Sequence, residues 1–128
     1  MIVVDTSVWV SVLRSREGPE SALMHQLLDA DEVLLAVPVR VELLTGARKA
    51  DRPALRRALS ALPVQYPTDE TWQLVDVWVE KASEAGERFG MGDLLIGALA
   101  SESGALVWSL DSDFARLSKL KLVQLYEP

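Results

Sequence analysis

Cysteine is absent from this 128-residue chain, and histidine occurs once, as His25. Without thiols there is no disulfide framework, thiolate metal site or thiol nucleophile, and a reducing cytoplasm is the expected setting. One imidazole cannot supply both the acid and the base of metal-free catalysis, and Ser7 has no partner histidine for a hydrolase triad. Long apolar runs are also lacking. The nearest approach, Leu94 to Ala100, falls far short of the ~20 residues that span a bilayer, and the opening Met1-Ile2-Val3-Val4-Asp5 is too short and too acidic for a secretion signal. Basic residues are in the minority, 13 against 19 acids, for a net charge of −6. That balance argues against a protein that grips nucleic acid through its overall field. The glycines from Gly86 to Gly92 come without the lysine and spacing of a phosphate loop, so they read as a turn.

What is present suits one globular domain over residues 1–128, with 49% hydrophobic and 25% charged residues and a length that hides roughly two thirds of the chain's surface. Ile2-Val3-Val4 has the unalternating β-branched character of a strand buried on both faces, and Asp5-Thr6-Ser7 then caps a helix. Pro19 suits the first turn of a second helix, and Val33 to Val37 reads as a second strand. Pro38 opens a helix over about Val39 to Lys49, and Pro53 opens one to about Leu62. Val64-Gln65-Tyr66 is a short strand. Asp69 to Arg88 reads as the longest helix, with Trp72, Val75, Val79 and Ala82 on one line and Leu74 and Trp78 on the next, a stripe wide enough for the core and a second subunit. Asp93 opens a helix to about Ser103, Ala105 to Leu110 is a strand, Asp111 to Ser118 a short helix, and Leu122 to Leu125 an edge strand. This alternation predicts an α/β domain with a mainly parallel central sheet flanked by helices.

Four acids stand where such a fold collects chemistry. Asp5 and Asp111 each follow a strand at a strand-to-helix junction, the position at which open α/β sheets bind ligands; helix capping is the competing role for both. Glu42 lies among Val39, Val41, Leu43, Leu44 and Ala47, which predicts burial and hence a cation or an ion pair, for instance with Arg14. Gly46, one helical turn on, leaves room beside it. Asp93 starts a helix that is apolar all round, either as a first-turn acid favoured by the helix dipole or as a member of an acidic cluster. Carboxylates gathered within a few ångströms repel unless they are protonated or share a cation. Oxygen donors without cysteine or histidine select Mg²⁺ or Mn²⁺. Arg48, Lys49, Arg52, Arg56 and Arg57 form a local basic stretch with a single acid, Asp51, readable as a phosphate-binding face or as a solvated helix surface.

Four motifs in order resemble the PIN-domain family, most closely its bacterial VapC-type toxins. Val3-Val4-Asp5-Thr6-Ser7-Val8-Trp9 is similar to the opening motif, Pro38-Val39-Arg40-Val41-Glu42-Leu43-Leu44-Thr45-Gly46 to the second, Gly92-Asp93-Leu94-Leu95-Ile96-Gly97-Ala98 to the third, and Leu110-Asp111-Ser112-Asp113-Phe114 to the fourth. The resemblance implies a three-layer PIN-like domain and a metal-dependent endoribonuclease, the toxin of a toxin–antitoxin pair. Asp5, Glu42, Asp93 and Asp111 would hold one or two Mg²⁺ or Mn²⁺ ions, Thr6 or Ser7 would steady Asp5 or a bound water, and cleavage would leave a 5′-phosphate. It also implies a homodimer and a cognate antitoxin whose segment fills the groove. Asp113 competes with Asp111 for the fourth position. Two departures from the pattern are Ser109 for threonine and Gly97 for alanine; the glycine costs the helix about 1 kcal/mol unless it permits close packing. The alternative is a PIN-fold binding module without catalysis. A phosphoreceiver domain is excluded by the lack of adjacent acids after the first strand and of a lysine after a late one.

Overall fold

The structure, a computed structural model, describes residues 1–128. Its strands are β1 (Ile2–Val4), β2 (Val33–Ala36), β3 (Val64–Gln65) and β4 (Leu106–Trp108). Its helices are α1 (Thr6–Arg14), α2 (Pro19–Asp29), α3 (Val37–Gly46), α4 (Arg52–Leu59), α5 (Asp69–Glu84), α6 (Met91–Ser103) and α7 (Ser112–Lys119). A 3₁₀ turn, Lys49–Asp51, leads into α4. The strands form one parallel sheet in the order β3-β2-β1-β4, which is the expected α/β class.

β1 runs through the middle of this sheet, and all three of its residues are buried, as a strand covered on both faces requires. The chain steps outward from β1 to β2 and β3, then returns to the opposite side of β1 for β4. The strand order therefore reverses between β1 and β4, and the crevice beyond their carboxyl ends is the switch point at which parallel sheets bind ligands. Asp5 leaves β1 there, and Ser109 to Asp111 leave β4 there. The backbone N–H of Asp5 donates to the Trp108 carbonyl at 2.8 Å, which ties the two exits together.

α6 covers the sheet with an unbroken buried run from Leu94 to Ala100. A Cβ added at Gly97 would lie 3.1 Å from both Trp78 and Val123. Close packing is thus the reason for glycine at that position.

Several boundaries differ from the sequence expectation, each for a local reason. Val37 is already helical, so β2 runs into α3 without a loop. α4 stops at Leu59, where the Ala61 and Leu62 N–H groups donate three residues back, to the Ala58 and Leu59 carbonyls at 3.4 and 3.1 Å, tightening the last turn. α5 ends at Glu84, four residues short of Arg88, because Gly86 turns left-handed at φ +73°. The Glu87 and Gly86 N–H groups then donate back to the Ala82 and Ser83 carbonyls at 2.8 and 3.0 Å, a Schellman closure. The expected edge strand Leu122 to Leu125 contributes one parallel bridge, Leu125 to Val107. On α5 the inward line is Thr71, Val75, Trp78 and Ala82, while Trp72 and Val79 are 45% and 46% exposed. No helix is long and apolar enough to cross a membrane.

Candidate metal centre

Asp5 is only 5% exposed and serves as the N-cap of α1. Its Oδ2 accepts hydrogen bonds from the Ser7 hydroxyl at 2.8 Å, the Ser7 backbone N–H at 3.4 Å and the Ser109 hydroxyl at 2.8 Å. The capping role expected of Asp5 is thus present, and all three bonds fall on Oδ2 and none on Oδ1. Ser109 also accepts the Asp111 backbone N–H at 2.9 Å, and Ser7 accepts that of Leu110 at 2.9 Å. The two hydroxyls therefore lock the end of β4 onto the end of β1.

Glu42 departs from its expected burial. The inward residues of α3 are Val39 and Leu43, spaced by one turn, while Val41 is 55% exposed and Glu42 itself is exposed. It forms no ion pair with Arg14; its Oε1 instead accepts the Thr6 hydroxyl at 3.2 Å. Partial loss of water around the carboxyl pushes its pKa up, the Thr6 bond acts against that rise, and the negative charge of Asp5 adds to it. Nothing lies within 4 Å of a Cβ placed on Gly46, so the space beside Glu42 is open.

Asp93 sits in the first turn of α6 and is half-buried. Its carboxyl is raised to about 7, chiefly by loss of hydration, then by a hydrogen bond with Asp113 and by the charges of Asp111, Asp113 and Asp5. Asp111 is the N-cap of α7, accepting the Asp113 backbone N–H at 2.9 Å. Carboxylate oxygens of Asp93, Asp111 and Asp113 all lie within 4.8 Å of one another. Such an oxygen-only set, without cysteine or histidine, suits Mg²⁺ or Mn²⁺ by its donor chemistry. Both contenders for the fourth position, Asp111 and Asp113, thus stand with Asp93. Asp5 and Glu42 lie outside that triad: the charge of Asp5 acts on Asp93, and the Thr6 bond holds Glu42 to α1, whose cap is Asp5.

Sequence reasoning missed the cation beside these acids. Arg116 donates from Nη2 to Asp113 Oδ1 at 2.7 Å and from Nη1 to Glu87 Oε2. This is the main reason the Asp113 carboxyl stays below the usual range, with the Asp93 bond a second cause. The three-residue spacing of Asp113 and Arg116 on one helix was a usable signal. In the basic stretch, Arg48 pairs with Asp51 at 3.2 Å and Arg52 donates to the Leu44 carbonyl at 3.1 Å. Lys49, Arg56 and Arg57 are exposed and without ion pairs. His25 is exposed on α2.

The sequence profile of the PIN domain family matches residues 2–120. The chain is 29% identical to ribonuclease VapC11 of Mycobacterium tuberculosis, covering 97% of this chain and 96% of that protein. It is 33% identical to ribonuclease VapC18 of the same organism, covering 91% and 87%. It resembles the solved structure of VapBC-5 from M. tuberculosis, a member of the VapBC family of toxin–antitoxin systems, with a TM-score of 0.71, 23% identity and coverage of 98% and 97%. The chain belongs to the PIN-domain family, in its VapC branch.

Proposed function

We propose that this chain is a Mg²⁺-dependent endoribonuclease, with Mn²⁺ as a substitute, acting in the cytoplasm as the toxin of a toxin–antitoxin pair. The observation that carries the reading is the convergence of Asp93, Asp111 and Asp113 within 4.8 Å beside Asp5 at the β1/β4 switch point. Membership of a branch whose relatives are named ribonucleases supports it. Asp5, Glu42, Asp93 and Asp111 are the residues proposed to hold the ion, with Asp113 beside them. The ion, when bound, supplies a water of lowered pKa and neutralises charge on the phosphate being cut.

The protein's own groups do the rest. Ser7 and Ser109 fix Asp5 through Oδ2 and leave Oδ1 without a hydrogen bond from the chain. Thr6 orients Glu42. Asp93 gives up its proton only near neutral pH, so ion binding is proton-coupled and strengthens as pH rises toward 8. Arg48, Lys49, Arg52, Arg56 and Arg57 are proposed as the phosphate-contacting stretch, with the exposed Lys49, Arg56 and Arg57 best placed to supply it. A cognate antitoxin is the proposed protein partner, in keeping with the VapC relationship. Homodimerisation, the remaining proposal, finds its support in the exposed Trp72 and Val79, seven residues apart on one face of α5.

The test is cleavage of total RNA by the antitoxin-free protein in Mg²⁺, Mn²⁺ or EDTA, with the 5′ ends of the products mapped. Metal-dependent cuts bearing 5′-phosphates are expected. Intact RNA under all three conditions would leave a PIN-fold binding module instead.

A further inference from the structure

The guanidinium of Arg116 joins two separate segments of the chain. It donates to Asp113 on its own helix at 2.7 Å, to Glu87, and to the Arg88 carbonyl at 3.4 Å, and its carbon stands 4.4 Å from the centroid of the Phe89 ring. Glu87, Arg88 and Phe89 belong to the connection from α5 to α6, which enters α6 two residues before Asp93. Asp113 belongs to α7, two residues after its cap Asp111. A single side chain thus clasps the two segments that deliver all three acids of the triad.

The energetics point to placement rather than to bulk stability. The paired side chains are 33–35% exposed, and ion pairs so open to water contribute little to folding. The charge of Arg116 would by itself oppose a neighbouring cation, but Asp113 and Glu87 already match it with two carboxylates. What remains is geometry: a planar fork can bond two carboxylates while stacking on a ring, which a lysine ammonium cannot do. The short connection after Gly86 has few other anchors, since Glu87 and Phe89 are only partly buried and Arg88 and Gly90 are exposed.

We propose that Arg116 is a positioning residue for the acidic triad, holding the α5–α6 connection against α7 so that Asp93 meets Asp111 and Asp113 at ion-binding distance. This inference rests on the metal-dependent reading above. Arg116 acts through Asp113 and through the start of α6, not as an ion ligand.

The experiment measures Mn²⁺ dissociation constants by calorimetry for the full chain and for Arg116→Gln, Arg116→Lys, Glu87→Gln and the Arg116→Gln/Glu87→Gln double variant, with far-UV circular dichroism to confirm the fold. Arg116→Gln is expected to weaken Mn²⁺ binding about tenfold, at the low end of what outer partners of metal ligands supply. Glu87→Gln should weaken it less, and the double variant no more than Arg116→Gln alone, since both act through one clasp. Arg116→Lys should recover only part of the loss. In RNA cleavage the change should fall on the Mn²⁺ concentration for half-maximal rate more than on the maximal rate. An unchanged or tighter Mn²⁺ constant in Arg116→Gln overturns the positioning role alone. A wild-type protein that takes up no Mn²⁺ overturns the metal reading and this inference with it.

Discussion

The two sides of the acidic crevice hold their carboxylates by different means. On the β1 side, Asp5 is kept by hydroxyls and a backbone N–H, neutral donors that orient the carboxylate without cancelling its charge. On the α6–α7 side, Asp93, Asp111 and Asp113 crowd one another, and a single arginine relieves only Asp113. Asp93 is raised to about 7 on that side. On the proposed reading, the site combines a firmly held anchor with a proton-carrying group that would give up its proton to a cation.

The widest break in that comparison comes from removing an acid on either side. Asp93→Asn and Asp5→Asn should each lower RNA cleavage by more than about a hundredfold, beyond what loss of an outer partner costs, while the far-UV spectrum stays native. Near-native cleavage by either variant would take that acid out of the mechanism. A smaller effect isolates the hydroxyl side: Ser109→Ala removes one donor to Asp5 and the acceptor for the Asp111 N–H. Its cleavage rate should fall about 10–100-fold. An unchanged rate would mean that Ser7 alone suffices to fix Asp5. Smaller again is the effect of charge outside the crevice. Replacing Lys49, Arg56 and Arg57 by Gln should flatten the salt dependence of RNA binding by about 0.7 for each phosphate no longer neutralised, and Arg52→Gln, whose guanidinium is partly committed to the Leu44 carbonyl, should flatten it less than any one of the three. A slope unmoved by the triple variant would make the stretch a solvated surface.

Much of this arrangement was legible in the sequence. Unalternating Ile2-Val3-Val4 and the capping run Asp5-Thr6-Ser7 placed both β1 and the first acid, and the apolar surround of Leu94 to Ala100 placed α6 with Asp93 at its start. Glu42 was placed on the right helix with the wrong exposure, because apolar neighbours in sequence do not say which face of a helix the core covers. Val41 and Glu42 turned outward while Val39 and Leu43 turned in. The same ambiguity split the α5 stripe, sending Val75 and Trp78 inward and Trp72 and Val79 outward. The links across the crevice were beyond reach, since Ser109 to Asp5 spans 104 residues and Arg116 to Glu87 spans 29. Pairings of that kind depend on the finished topology rather than on local pattern.

Thermal unfolding of the antitoxin-free protein from pH 5 to 8, in EDTA or in Mn²⁺, tests the proposed metal site most directly, with Asp93→Asn as reference. A carboxyl raised to about 7 in the fold, against ~3.9 when unfolded, favours the folded state fully below the unfolded value and loses that contribution as pH rises through the folded one. In EDTA the wild-type midpoint should therefore fall by a few degrees between pH 5 and 8, and Asp93→Asn should flatten the fall and exceed wild type at pH 8. Mn²⁺ at a hundredfold excess over its dissociation constant should add about 2.7 kcal/mol to wild type if it binds only the folded chain, and much less to the variant. A wild-type midpoint at pH 7.5 that ignores Mn²⁺, together with a variant no more stable than wild type in EDTA, would contradict the account and return these acids to helix caps and surface charge.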